Sequence, residues 1–178
     1  MNAMRSRTSG DGDARDRGPR PQVRRLPFTT ASGAVMRSRT FLRTAMQAYG
    51  WLPAPDQATE LAADDILLVA VELVTNACLH GGGPVELRLV RLEGVVRVEV
   101  DDRSDRVPEP RSPFEGPRAG GHGLHIVRRL AREWGVSVHS APGGRGGRGA
   151  RAARGKTVWA ELAEPGLRGG DAGPGSEG

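Results

Sequence analysis

The 178 residues carry 26 Lys plus Arg against 21 Asp plus Glu, a net charge of +5, with a pI near 10.7 and an apolar fraction of 37%. That length bounds one domain with tails, and 26 Gly with 13 Pro leave part of the chain with no apolar face to pack. No stretch is apolar enough for a membrane span or a secretory signal core, so a cytoplasmic location is expected, and direct nucleic-acid binding is not, because Trp51 to Ser140 holds 10 Arg against 14 Asp plus Glu while the surplus Arg lies in the ends and one loop.

Residues 1–25 are polar, with Gly, Pro and mixed charge, and read as a disordered basic tail. Leu26 to Thr30 reads as a short edge strand that opens the folded domain. From Ala34 to Ala48, Val35, Phe41, Leu42, Ala45 and Met46 recur at helical spacing, and Gly50 stops the run. Pro53 to Thr59 is a connection.

The stretch Asp64 to His80 is the centre of the chain. From Ile66 to Leu79 it is apolar except at Glu72, Thr75 and Asn76, so it predicts a helix buried on nearly every side. Glu72, Asn76 and His80, spaced four residues apart, keep to one side of it. No Lys or Arg stands three or four residues from Glu72, so a buried carboxylate there needs a metal, a ligand or another element as its partner. A Glu72 at the helix rim in water, with Asn76 on the backbone, fits the pattern equally. Cys78, the single cysteine, lies among apolar neighbours as a small packing residue.

Gly81-Gly82-Gly83-Pro84 ends the helix abruptly. Val85, Leu87 and Leu89 then alternate with polar residues, Glu93-Gly94 turns the chain, and Val96, Val98 and Val100 alternate in the return strand. The parity of these valines continues to Asp102, not Asp101, so the hairpin aims one carboxylate toward the core. Residues 103–120 hold four prolines and no periodicity, a long mobile loop. The loop enters Gly120-Gly121-His122-Gly123, followed by a helix whose Leu124, Val127, Leu130, Ala131 and Trp134 form an apolar stripe ended by Gly135. Glycines feeding a helix N-terminus suit an anion such as phosphate, although such glycines also serve as a plain turn. Val136 to His139 and Thr157 to Leu162 read as two further strands. Between them, residues 141–155 form a Gly/Arg-rich loop without interleaved aromatics, and residues 163–178 form a Gly-rich disordered tail.

Four pieces stand in order: E-L-V-T-N at Glu72 to Asn76, D-R-S at Asp102 to Ser104, G-H-G-L at Gly121 to Leu124, and G-K-T-V-W at Gly155 to Trp159. Together they resemble the ATP-binding Bergerat fold of the GHKL superfamily, most closely the small bacterial anti-sigma factor serine/threonine kinases, with a histidine kinase-like ATPase domain over residues 26–162. The resemblance implies an α/β (α+β) two-layer sandwich, a mixed, mostly antiparallel sheet with helices on one face. It implies ATP and Mg²⁺ as cofactors, with Glu72 as general base and Asn76 as the Mg²⁺ ligand. Asp102 would accept a hydrogen bond from the adenine amino group, supported by the hydroxyl of Thr157. Ser104 would lie at the adenine pocket, Gly121, Gly123 and Leu124 at the phosphates, and residues 103–120 would be the ATP lid. The partners implied are an anti-anti-sigma protein, which is phosphorylated, and a sigma factor, which is sequestered. Relatives of this kind are commonly homodimers. The alternative is a regulator of the same fold that binds ATP and partner proteins without transferring phosphate.

Overall fold

The computed structural model describes residues 20–107, 123–139 and 155–166. Its elements run β1 (Gln22–Pro27), α1 (Ala34–Ala48), α2 (Gln57–His80), β2 (Pro84–Leu92), β3 (Val95–Asp102), α3 (Gly123–Leu130), β4 (Glu133–His139) and β5 (Gly155–Ala163). The strands form one five-stranded sheet in the order β1-β2-β3-β5-β4, and every pairing among the described residues is antiparallel. The architecture is the expected α+β sandwich, with the helices packed on one face of the sheet and the pairing more uniform than the mixed sheet expected.

Alternation decides which residues face the helices. In β3, Val96, Val98 and Val100 are buried and are followed at the same parity by buried Asp102, while Arg97, Glu99 and Asp101 stay half-buried on the other face. Leu87 and Leu89 of β2 lie opposite Val100 and Val98, and Val158, Ala160 and Leu162 of β5 continue the same layer. Each such side chain, fully withdrawn from water, contributes about 1.5–3 kcal/mol. Ile66, Val69, Ala70, Leu73, Val74 and Ala77 of α2 close the core over this layer.

The N-terminus of α2 is fixed by Asp56, whose carboxylate accepts the Thr59 N–H at 2.7 Å. This cap starts the helix well before Asp64, so the expected connection at 53–59 is shorter than its composition suggests. Helix α1 starts after Gly33, whose φ of 66° is open to glycine without strain, and buries Ala34, Ser38, Leu42, Ala45 and Met46 against α2 and the sheet.

Two boundaries differ from expectation. Strand β1 begins inside the polar stretch assigned to the tail and ends before Phe28, because its backbone pairs with β2 from Gln22 to Pro27 whatever its side chains carry. The arginines responsible for the polar reading find partners: Arg24 lies over the Tyr49 ring at 5.1 Å and Arg25 pairs with Glu86 at 3.0 Å. At the other end α3 stops at Leu130, and Trp134 and Gly135 belong to β4. Trp134, opposite Ala160, and Val136, opposite Val158, pack against the core, and Gly135 leaves room for Trp159, whose ring carbon Cζ2 would lie 2.7 Å from any Cβ there.

No helix among the described residues is long and apolar enough to cross a membrane. The body of the expected lid from 108 onward, Gly121, most of the Gly/Arg-rich loop and the tail residues 1–19 and 167–178 lie outside the described residues.

Candidate functional site

The site is built where the C-terminal half of α2 meets the head of α3 and the end of β3. Glu72 and Asn76 of α2 are half-buried and face α3. A Cβ on Gly123 would stand 2.7 Å from Glu72 Oε2, 3.1 Å from Asn76 Nδ2 and 3.3 Å from Asn76 Oδ1. Only a residue without a side chain lets the α3 backbone come this close to both groups. Glu72 is therefore neither at an open rim nor buried among apolar groups. It shares a polar corner with an amide and a helix N-terminus, whose backbone N–H groups favour negative charge.

Asn76 carries a polar atom that calls for a partner. Its Nδ2 is buried and has no hydrogen-bond partner among the described residues. A buried amide group left unpaired costs about 1–3 kcal/mol. The two ends of an amide exchange by a half-turn, so the same position can present the oxygen instead. A carboxylate and an amide side by side are hard oxygen donors suited to Mg²⁺, which keeps water and phosphate oxygens in its remaining positions. No cluster of three or more His, Cys, Asp or Glu able to hold a metal occurs among the described residues.

The second wall is Asp102. It is buried at the end of β3, and the chain turns tightly against it: a Cβ on Gly81 would lie 2.5 Å from its Cγ, and the Arg103 N–H donates to the Gly81 carbonyl at 2.9 Å. Its carboxylate accepts the Ser104 N–H at 2.9 Å through Oδ1. Ser104 itself is half-buried, and its hydroxyl accepts the Arg106 N–H at 3.2 Å.

The support of Asp102 differs from expectation. Thr157 lies opposite Asp101, on the outward face of the sheet, and donates its hydroxyl to Asp101 at 2.5 Å, with His139 Nε2 at 2.6 Å from the same hydroxyl. Side chains directly opposite across two strands share a face, so the residue beside Asp102 is its partner Lys156. Lys156 Nζ donates to Asp102 Oδ1 at 2.9 Å and lies 2.8 Å from Oδ2, and both side chains are almost fully buried. The parity of Lys156 with Val158, Ala160 and Leu162 carries the signal that identifies it.

On the outward face, Asp101 anchors a separate charge network. Arg88 donates to both of its oxygens at 2.6 and 2.8 Å, and also to Glu99 at 2.6 Å and Glu86 at 2.8 Å. Burial alone pushes the Asp101 carboxyl up, but the hydrogen bonds of Arg88 and Thr157, with the charges of Arg88 and His139, outweigh it and hold the group below the ordinary aspartate value. Three carboxylates hold the Arg88 guanidinium firmly charged.

Of the remaining expected residues, Leu124 is half-buried in the first turn of α3, and His80 is exposed at the end of α2. Glu72, Asn76 and Gly123 are thus brought together, Asp102 and Ser104 form the second wall, and Thr157 belongs to the opposite face. A family model described as a histidine kinase-like ATPase domain matches residues 36–148. No curated protein is found to match the chain.

Proposed function

The chain belongs to the family of histidine kinase-like ATPase domains, and from that premise we propose that it is an ATP-binding anti-sigma regulatory kinase that phosphorylates a serine or threonine of an anti-anti-sigma partner. In this reading it also sequesters a sigma factor, and it acts in the cytoplasm as a homodimer or with its partners. ATP binding follows from the family. The kinase role and the partners rest on the likeness of the four motifs to that subgroup. The observation that supports the reading best is the Glu72, Asn76 and Gly123 corner, with a buried amide end lacking a partner among the described residues.

In this reading Asn76 holds Mg²⁺ through its amide oxygen, and Asp102 accepts from the exocyclic amino group of adenine. Guanine presents a carbonyl at that position and would set two acceptors against each other. Mg²⁺, when bound, offsets the charge of the phosphates. The α3 N-terminus, approached closely at Gly123, turns backbone N–H groups toward the same charge. Glu72 takes the proton of the partner hydroxyl as its oxygen bonds to the γ-phosphorus, and the bond from that phosphorus to the bridging oxygen of ADP breaks. The products are the phosphorylated partner and ADP.

The test is transfer of labelled γ-phosphate to candidate partner proteins. Glu72→Gln should abolish transfer while ATP binding survives, and Asn76→Ala should weaken the Mg²⁺-dependent part of binding. ATP binding by the natural chain with no phosphate on any partner, and partner capture that depends on ATP, would favour the non-transferring regulator instead.

A further inference from the structure

Lys156 is the only lysine in the chain, and its long cationic side chain is buried. It is 4% exposed and is fixed on three oxygens: both carboxylate oxygens of Asp102, and the Ser104 carbonyl at 3.3 Å. A buried ammonium is retained only where its charge and its donors are matched, and here three acceptors meet three N–H groups. Oδ1 of Asp102 already accepts from both Lys156 and the Ser104 N–H. Oδ2 lies 2.8 Å from Lys156 Nζ, so both oxygens of the carboxylate face the one ammonium. On its other side the carboxylate is met by the bare backbone of Gly81, where a Cβ would come within 2.5 Å of Oδ2, so Asp102 is held between that backbone and the ammonium.

We propose that Lys156 is the positioning residue that sets base selectivity, by holding the Asp102 carboxylate in one fixed orientation as an acceptor. The inference rests on the ATP-binding reading and deepens it. Unclamped, a buried carboxylate turns away from its place toward other donors, and the difference between an amino group and a carbonyl is lost. A site that hydrogen-bonds one specific group rejects the analogue because a buried polar group is otherwise left unpaired. Lys156 also bonds the Ser104 backbone, so it fixes the start of the segment that follows Asp102 in the same step.

The experiment measures dissociation constants of ATP and GTP for the full chain with Lys156→Met, which keeps length and removes charge, and with Lys156→Arg, which keeps charge. Thermal unfolding is followed alongside. The natural chain should prefer ATP strongly. Lys156→Met should weaken ATP roughly tenfold or more while leaving GTP nearly unchanged, so that the ratio collapses, and Lys156→Arg should recover most of the preference. A folded Lys156→Met variant that keeps the natural ratio, or weakens both nucleotides alike, overturns the proposal. If Lys156→Met does not fold, Lys156→Gln, a shorter neutral donor, is read by the same ratio. Failure of the natural chain to bind ATP would overturn the ATP reading and this inference together, whereas binding with an unmoved ratio overturns this inference alone.

Discussion

Gly123 stands against Glu72 so closely that a methyl group on its Cα would come within 2.7 Å of the carboxylate oxygen Oε2. The neighbour is the far end of a flexible side chain, so Gly123→Ala should cost the fold little and displace the carboxylate proposed as the general base. Phosphate transfer should fall by on the order of 100-fold, as expected for a misplaced reacting group, while the melting temperature moves by a few degrees at most. Transfer rates and thermal unfolding on the same preparation check both halves.

Gly155 makes the contrasting case. A Cβ there would lie 2.6 Å from the Asp102 backbone oxygen, which cannot swing aside without parting β3 from β5. Gly155→Ala should therefore destabilise by about 1–3 kcal/mol, the usual cost of overpacking. Urea unfolding should show a lowered midpoint with an unchanged slope.

Asp101 links stability to acid. Its folded value lies below its unfolded value, so the stabilisation is complete above the unfolded value near 3.9 and is lost as pH falls through the folded one. Asp101→Asn should cost roughly 1 kcal/mol at pH 7, and the difference from the natural chain should shrink toward pH 3. Unfolding curves across that range show whether the gap closes.

Burial raises the Cys78 thiol above its ordinary value. Little thiolate is then present at neutral pH, and the folded chain should react with iodoacetamide more slowly than free cysteine. Unfolding in urea should restore the ordinary rate, which mass spectrometry of timed samples measures.

Much of this was legible in the residues. The parity of Val96, Val98 and Val100 alone places Asp102 on the helix side and Asp101 on the other, and burial follows that alternation. The same rule applied to β5 puts Lys156 with Val158 and Ala160. The expectation for Thr157 came from likeness to relatives instead, and it fell on the wrong face. Trp134 was open to both periods, since one aromatic after a helical stripe also begins an alternation with Val136 and Val138, and only pairing with β5 settles it. Strand β1 was hidden because its arginines make a polar run, although backbone hydrogen bonding needs no apolar side chain. The approach of Gly123 to Glu72 joins residues far apart in the chain, a distance that no local pattern encodes.

The Arg103 to Gly81 bond, with Asp102 pressed on the Gly81 Cα, joins the last turn of α2 to the last residue of β3. Asp102 sits at this junction itself, and Asn76 and Glu72 stand further back along the helix that ends there, so the separation of the two groups is fixed like the jaws of a caliper soldered in place. On the proposed reading a ligand that reaches both groups is gauged by its span as well as by its chemical edge, because that separation changes only if the sheet and the helix come apart.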